Sequence, residues 1–266
     1  MTATHIFLRM IVLLSPAKTL EFEKTIPYDK ATVPEFLEDS KILVNILKKK
    51  STDELAELME ISKDLADLNQ KRYQQWKAPF NKTNARQAIF TFNGPVYHGF
   101  DFMAYKKEDY ERLQSTVRII SGLHGILKPF DLIQAYRLDM GTPLANPKGK
   151  DLYAYWKEKI TSTLNSECKD ILINCASKEY EEAVDFDKLH CKVINIIFKN
   201  FKNGKYQVIG LLAKKTRGLY ADFVVRSNIQ KIEDLKRFNK SGYMFDPKTS
   251  TDSEMVFLRK EKGMGM

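Results

Sequence analysis

Met10-Ile11-Val12-Leu13-Leu14-Ser15-Pro16-Ala17-Lys18-Thr19 is the stretch whose reading decides the fold. Ile11 to Leu14 is a short β-branched and aliphatic run stopped by Ser15-Pro16, the mark of a buried strand. The same form returns at Val117 to Ile120, Ile171 to Cys175, Val193 to Phe198 and Met255 to Leu258. Ile89 to Phe92, closed by Asn93-Gly94-Pro95, is read as another strand. Asn203-Gly204 predicts a hairpin joining Val193 to Phe198 with a strand over Tyr206 to Ala213.

Helical patterns fill the gaps. Pro34 opens one that carries Phe36, Leu37, Val44 and Leu47 on a face and ends near Lys48-Lys49-Lys50. Ser51-Thr52-Asp53-Glu54 caps the next. Further helices are predicted from Asn69 or Gln70 to Trp76, as a short piece over Asn84 to Ala88, and over Lys107 to Leu113, Asp151 to Leu164, Lys178 to Val184, Thr216 to Arg226 and Ile232 to Phe238. Ser121 to Lys150 is expected to be irregular and ordered. The fold class is therefore α/β: a single compact mixed domain with a central β-sheet, surrounding helices and a helix-hairpin-helix-like element over Leu55 to Trp76. Residues 1–9 are read as an N-terminal extension, 10–260 as the domain and 261–266 as a flexible C-terminal tail.

Composition agrees with one domain, since 43% of the 266 residues are hydrophobic, enough for a substantial core. No apolar run reaches the roughly 18 residues of a membrane span. The first nine residues lack the pattern of a secretory signal. Cys168, Cys175 and Cys191 are too few for a disulfide framework, and none forms a Cys-x-x-Cys pair, so neither a metal site nor a cofactor is expected and a reducing compartment fits.

The charge is unevenly placed. The net value is +9, yet Lys199 to Lys240 holds eleven Lys/Arg against Asp222, Glu233 and Asp234. Lys71 to Arg86 holds five basic residues and no acid. Asp53, Glu54, Glu57, Glu60, Asp64 and Asp67 face only Lys63. Such segregation points to a positive region and to nucleic acid as partner.

Five segments carry candidate chemistry. Ser15 to Thr19 offers a turn with hydroxyls and Lys18 to a phosphate, without the glycines of a Walker loop. Leu55 to Trp76 has the layout of a helix-hairpin-helix centred near Leu65 to Asn69, with Lys71, Arg72 and Lys77 for phosphates and with Asp67 and Asn69 where glycine is usual. Ser121 to Met140 holds His124, a candidate acid or base, and Arg137, a planar fork for phosphate or carboxylate. Asn174 to Tyr180 is another strand end, and Ala213 to Gly218 places Lys214, Lys215 and Arg217 at the end of the hairpin strand. Cations gathered at several strand ends are the arrangement of an anion-binding cleft in an α/β sheet.

With Asn84 to Ala88 and Gly242 to Asp246, these segments resemble, in order and across Met10 to Leu258, the YaaA family of bacterial peroxide stress proteins. The resemblance implies a cytoplasmic protein that limits free intracellular iron under peroxide stress and binds DNA through a basic cleft and a helix-hairpin-helix element. Carried over by position, the DNA-binding residues are Lys18, Asn69, Lys71, Arg72, Lys77, Arg118, Arg137, Lys178, Lys214, Lys215 and Arg217, contacting mainly the phosphate backbone. The alternative is an enzyme acting on a phosphorylated small molecule or nucleotide in the same cleft, with no catalytic set legible.

Overall fold

In a computed structural model that describes residues 8–227 and 229–260, the run Met10–Leu14 forms β1, buried along its whole length at the centre of the main sheet. Its neighbours are distant in sequence. Val12 pairs in parallel with Val117 of β3 (Val117–Ser121) on one side and with Ile173 of β6 (Ile171–Asn174) on the other. Beyond β6 come β7 (Lys192–Lys202) and β10 (Glu254–Arg259), both parallel to their inner neighbours. β4 (Gly125–Leu127) closes one edge against β3, and β9 (Met244–Phe245) the other against β10, both antiparallel. β8 (Lys205–Gln207) pairs with the far end of β7, giving eight strands in a mixed sheet. A separate pair joins β2 (Arg86–Gln87) to β5 (Leu132–Ile133). Parallel strands with both faces covered read as continuous apolar runs, which is why these were legible.

Eight α-helices accompany the strands among the described residues: α1 (Leu37–Lys48), α2 (Thr52–Met59), α3 (Lys63–Gln75), α4 (Ala88–Thr91), α5 (Lys107–Thr116), α6 (Leu152–Glu167), α7 (Lys178–Glu181) and α8 (Gly210–Arg226). α5 packs on β1 and on α8, and α8 packs on β7. α6 lies beside β4, where Trp156 donates its indole N–H to the Gly122 carbonyl at 2.8 Å. The mixed α/β class stands, and no helix among the described residues is long and apolar enough to cross a membrane. Residues 1–7 of the expected extension and the expected tail at 261–266 lie outside the described residues.

Several local expectations are corrected. The Ser51 cap forms as read, with the Glu54 N–H on the Ser51 hydroxyl at 3.2 Å and the Ser51 N–H on the Glu54 carboxylate at 2.7 Å. The break between α2 and α3, however, falls at Glu60 to Ser62, where Glu60 is left-handed (φ 51°) and Ser62 caps α3. Leu65 to Asn69 is therefore helix interior, and the expected phosphate-binding hairpin turn does not exist there. Asp67 and Asn69 have helical partners that keep them so: Asp67 pairs with Lys71 at 2.7 Å, and the Asn69 amide donates to the Leu65 carbonyl at 2.8 Å.

Ile89 to Phe92 is not a strand; α4 occupies it. Asn84 to Ala88 is not a helical piece, since β2 pairs there. Asn203 and Gly204 form the expected turn, with φ of 53° and 77°. Its second strand ends at Gln207, and Gly210 to Ala213 begins α8 rather than continuing a strand.

Candidate anion-binding site

The chain leaves β1 toward one side of the sheet and returns to β6 on the other, so the ends of these strands flank a topological switch point, where open α/β sheets bind ligands. The two turns there are joined. The Ser177 N–H donates to the Ser15 hydroxyl at 2.9 Å, and the two hydroxyls lie 3.2 Å apart. Asn174 shapes the second turn, accepting from the Ala176 N–H at 3.0 Å and donating to Glu181 at 2.7 Å. Between them opens a cavity of about 220 Å³, lined by Ser15, Lys18 and Thr19 after β1, Cys175, Ser177 and Glu179 after β6, Lys214 and Arg217 from α8, and a wall from Asn93 to Tyr97.

α8 reaches this cavity because two glycines let backbones touch. A Cβ on Gly218 would lie 1.7 Å from the Val96 carbonyl oxygen, and one on Gly99 would lie 2.4 Å from the Leu219 nitrogen. The helix thus lies directly on the turn Tyr97–Gly99, whose Tyr97 hydroxyl donates to the Ser15 carbonyl at 3.0 Å. In the turn that leads into Gly218, Lys214 and Arg217 share a helix face, as residues three apart do, and both line the cavity. Cys175 at the same wall is a neutral thiol: burial pushes it up to about 12, against a smaller opposite pull from Arg217.

A strap from Tyr136 to Gly141 closes one side. Lys18 Nζ lies 3.0 Å and an Arg137 guanidinium nitrogen 3.5 Å from the same Asp139 carboxylate oxygen. The Gly141 N–H donates to Glu179 at 3.2 Å, and the Tyr153 hydroxyl donates to the Glu179 carbonyl at 2.9 Å. The Tyr73 hydroxyl donates to the Arg137 carbonyl, tying α3 to the strap. Chemically, the arrangement offers cations and hydroxyls to an anion, with Glu179 an acceptor for a neutral or N–H-bearing part of the ligand.

The sequence-derived residues separate into groups. Lys18, Lys214 and Arg217 line the cavity, and Arg137 joins Lys18 through Asp139. Lys178 and Lys215 are exposed beside it, at the start of α7 and on α8, without lining it. Arg118 is elsewhere: it is buried on β3, with its Nε donating to Glu167 at 2.6 Å and a terminal nitrogen to the Gln114 and Val117 carbonyls. Asn69 is buried within α3 and accepts from Arg72 at 3.3 Å. Lys71 is exposed in its pair with Asp67, while Arg72 and Lys77 border a separate depression with Gln134.

His124 is not an acid or base at this site. It is fully buried, its Nδ1 2.8 Å from the Ser40 hydroxyl, and burial lowers its pKa to about 3. Asp139 and the Asn93 to Tyr97 wall entered through long-range contacts; the Asn93-Gly94-Pro95 turn was the one sequence signal that marked that wall. Among the described residues, no three His, Cys, Asp or Glu side chains are grouped to hold a metal.

The sequence model of the family described as "Peroxide stress protein YaaA" matches residues 10–249. A UPF0246 protein of Paraburkholderia xenovorans is 45% identical over 257 residues, covering 94% of this chain and 99% of its own. A UPF0246 protein of Flavobacterium johnsoniae is 45% identical, covering 94% of this chain and all of its own length, and one of Colwellia psychrerythraea is 44% identical over 256 residues.

Proposed function

Because the chain belongs to the YaaA family of peroxide stress proteins, we propose that it serves the peroxide stress response in the cytoplasm by binding the DNA phosphate backbone at the strand-end cleft and by keeping free intracellular iron low. The observation that carries the DNA reading is the convergence of Lys18, Lys214 and Arg217 on one cavity, with the exposed Lys178 and Lys215 beside it. Phosphate contacts position a protein on a duplex without reading sequence, so a patch of cations and hydroxyls suffices. Lys71, Arg72 and Lys77, on and just beyond α3 and outside the cavity, are proposed as further phosphate contacts. Iron limitation rests on the family resemblance and adds no residue of its own.

The test is a titration of duplex DNA at several salt concentrations. With about six phosphates neutralised, log affinity falls against log salt with a slope near −5. The Lys18→Ala, Lys214→Ala and Arg217→Ala variants each flatten that slope by about one contact. A complex insensitive to salt, or none at low salt, defeats the DNA reading. Free iron measured in peroxide-challenged cells lacking the gene tests the second half; an unchanged level defeats it.

A second reading is favoured by the small size of the site. A cavity of about 220 Å³ with the Glu179 carboxylate in its lining suits one phosphate-bearing small molecule or nucleotide better than a continuous backbone. Thermal stabilisation by nucleotides or sugar phosphates, lost in Lys18→Ala and Arg217→Ala, with duplex DNA inactive, would select it.

A further inference from the structure

A second depression, of about 1030 Å³ and several times larger than the strand-end cavity, lies where the ends of β7 and β10 meet β8 and β9. Alternate residues of a strand face opposite sides of the sheet. Phe198 of β7 faces the side that α8 covers, its ring centre 5.9 Å from that of Tyr220 in the helix. Phe201, three residues on, faces the other side, where β8 sets Tyr206 opposite it with ring centres 5.2 Å apart. On the same side Lys199 is paired with Leu258 of β10, and Leu258 with Met244 of β9. Phe201 and Leu258 are half-buried, Tyr206 is 38% exposed and Met244 69% exposed. Phe201, Tyr206, Met244 and Leu258 all line the depression.

The charged part of the lining is positive. Lys202, Arg259 and Lys260 border the depression, and none of them forms an ion pair among the described residues. Arg259 stacks on Tyr243, its guanidinium carbon 5.0 Å from the ring centre. Asp246, the one acid among the described lining residues, serves its own turn, accepting from the Lys248 and Thr249 N–H groups and from the Thr249 hydroxyl. Asn200 stands in the wall at 3% exposed, and its Oδ1 accepts from the Tyr243 hydroxyl at 2.9 Å. That contact leaves Nδ2 as a buried donor without a partner among the described residues. α8 begins at the rim, with Ile209 in the cap position and no side-chain cap on its first N–H groups.

Aromatic rings, an unused amide donor and unpaired cations together call for a ligand with a flat apolar face, a hydrogen-bond acceptor and repeated negative charge. A second copy of this chain would bring cation against cation. An acidic peptide would match the charge and leave the rings without a flat partner. Unpaired nucleotides supply all three features, because every base has a π-face and ring acceptors, and every link carries a phosphate. We propose that this side of β7, β8, β9 and β10 is a platform for single-stranded nucleic acid. A base stacks on Tyr206 and Phe201, a base carbonyl or ring nitrogen takes the Asn200 Nδ2–H, and Lys202, Arg259 and Lys260 hold the neighbouring phosphates. A duplex cannot use the platform, since its base faces are already covered by stacking within the helix. The platform shares no lining residue with the strand-end cavity and does not rest on what binds there.

The experiment titrates the full chain into fluorescein-labelled oligothymidylate of about ten residues, within the usual site size of single-strand platforms, and reads anisotropy. Unlabelled oligothymidylate, an abasic oligomer of the same length and polyglutamate serve as competitors. The abasic oligomer is expected to compete at least about fivefold more weakly than oligothymidylate, the least that stacking one base on an aromatic ring contributes. Tyr206→Ala is expected to weaken oligothymidylate binding by at least about the same factor, while Tyr206→Phe keeps it. No binding of oligothymidylate at low salt, equal competition by the abasic oligomer or by polyglutamate, or unchanged affinity in Tyr206→Ala would each overturn the proposal. The abasic comparison uses the unsubstituted protein, so it decides the matter whatever a variant does to folding. Duplex DNA, the probe of the strand-end cleft, is titrated separately, so the two readings fail in different measurements.

Discussion

Lys18 and Arg137, from segments more than a hundred residues apart in the chain, share one carboxylate oxygen of Asp139, at 3.0 Å and 3.5 Å. The carboxylate stands where an arriving anion would compete for the same cations. Lys18 is largely exposed, so the pair contributes little to stability, about 0–1 kcal/mol. Asp139→Asn is therefore expected to leave the unfolding midpoint nearly unchanged while tightening anion binding about fivefold, from a Coulomb term near 1 kcal/mol at contact in water. Pyrophosphate titration followed by thermal shift checks it; weaker binding would count against the cleft as an anion site.

Gly218 tests how α8 is placed. A Cβ there meets the Val96 carbonyl oxygen, which is backbone and cannot rotate away. Gly218→Ala should cost roughly 3 kcal/mol or more as α8 lifts from the Tyr97–Gly99 turn, and should weaken anion binding as Lys214 and Arg217 shift. Gly204→Ala is the comparison: its φ of 77° is strained for alanine but the space is open, so about 1 kcal/mol is expected with binding intact. Urea denaturation of both variants measures the difference.

Asp131 gives a pH signature. It is buried, and burial raises its pKa from 3.8 to about 6, against hydrogen bonds from the Thr32 hydroxyl and the Lys128 N–H. Between those values the folded chain keeps a proton the unfolded chain has released. Its contribution to stability is full below the lower value and is lost as pH rises through the upper one, a change on the order of 3 kcal/mol. In Asp131→Asn the amide oxygen can take the Lys128 N–H and the amide NH₂ can turn to Thr32. The stability difference between variant and unsubstituted protein should move in the variant's favour from pH 4 to pH 7, and a difference flat with pH would refute this.

Arg118 was expected at the cleft and is bound to Glu167 instead. Removing it leaves Glu167 with Lys128 alone, at 3.2 Å, and takes a donor from the Gln114 and Val117 carbonyls, so Arg118→Ala should cost roughly 1–3 kcal/mol. Under conditions where the variant is folded, its anion affinity should match that of the unsubstituted protein. A selective loss of binding with unchanged stability would return Arg118 to the site.

The sheet was legible because β1 is a wholly apolar run and β3 and β6 are short and mostly apolar, broken only by Arg118 and by Ser121 and Asn174 at their ends. What failed was local ambiguity. Ile89 to Phe92 carries strand-like residues, yet four apolar residues fit one helical turn equally well. α8 was begun too late because Ile209 stands at its cap position without a side chain able to cap, so nothing separated Tyr206 to Ile209 from Gly210 onward. Asn69 looked like a helix start, but it bonds backward to Leu65 inside α3. At the site, Lys18 and Lys214 could be tied to strand ends and their convergence posed as a question. The strap at Asp139 and the Tyr97 hydroxyl on Ser15 could not be foreseen, since long-range pairings leave no periodic trace.

The central position of β1 sets an order for making the protein. Val12 leaves the ribosome early, but Val117 and Ile173, the residues it pairs with, follow roughly a hundred or more positions later. At about 5–20 residues per second, the most apolar segment of the chain waits on the order of ten seconds or more for its second flank. During that interval its backbone N–H and C=O groups are open to any other extended chain. The strand at the heart of the finished sheet is thus the segment most in need of shelter while the protein is being born.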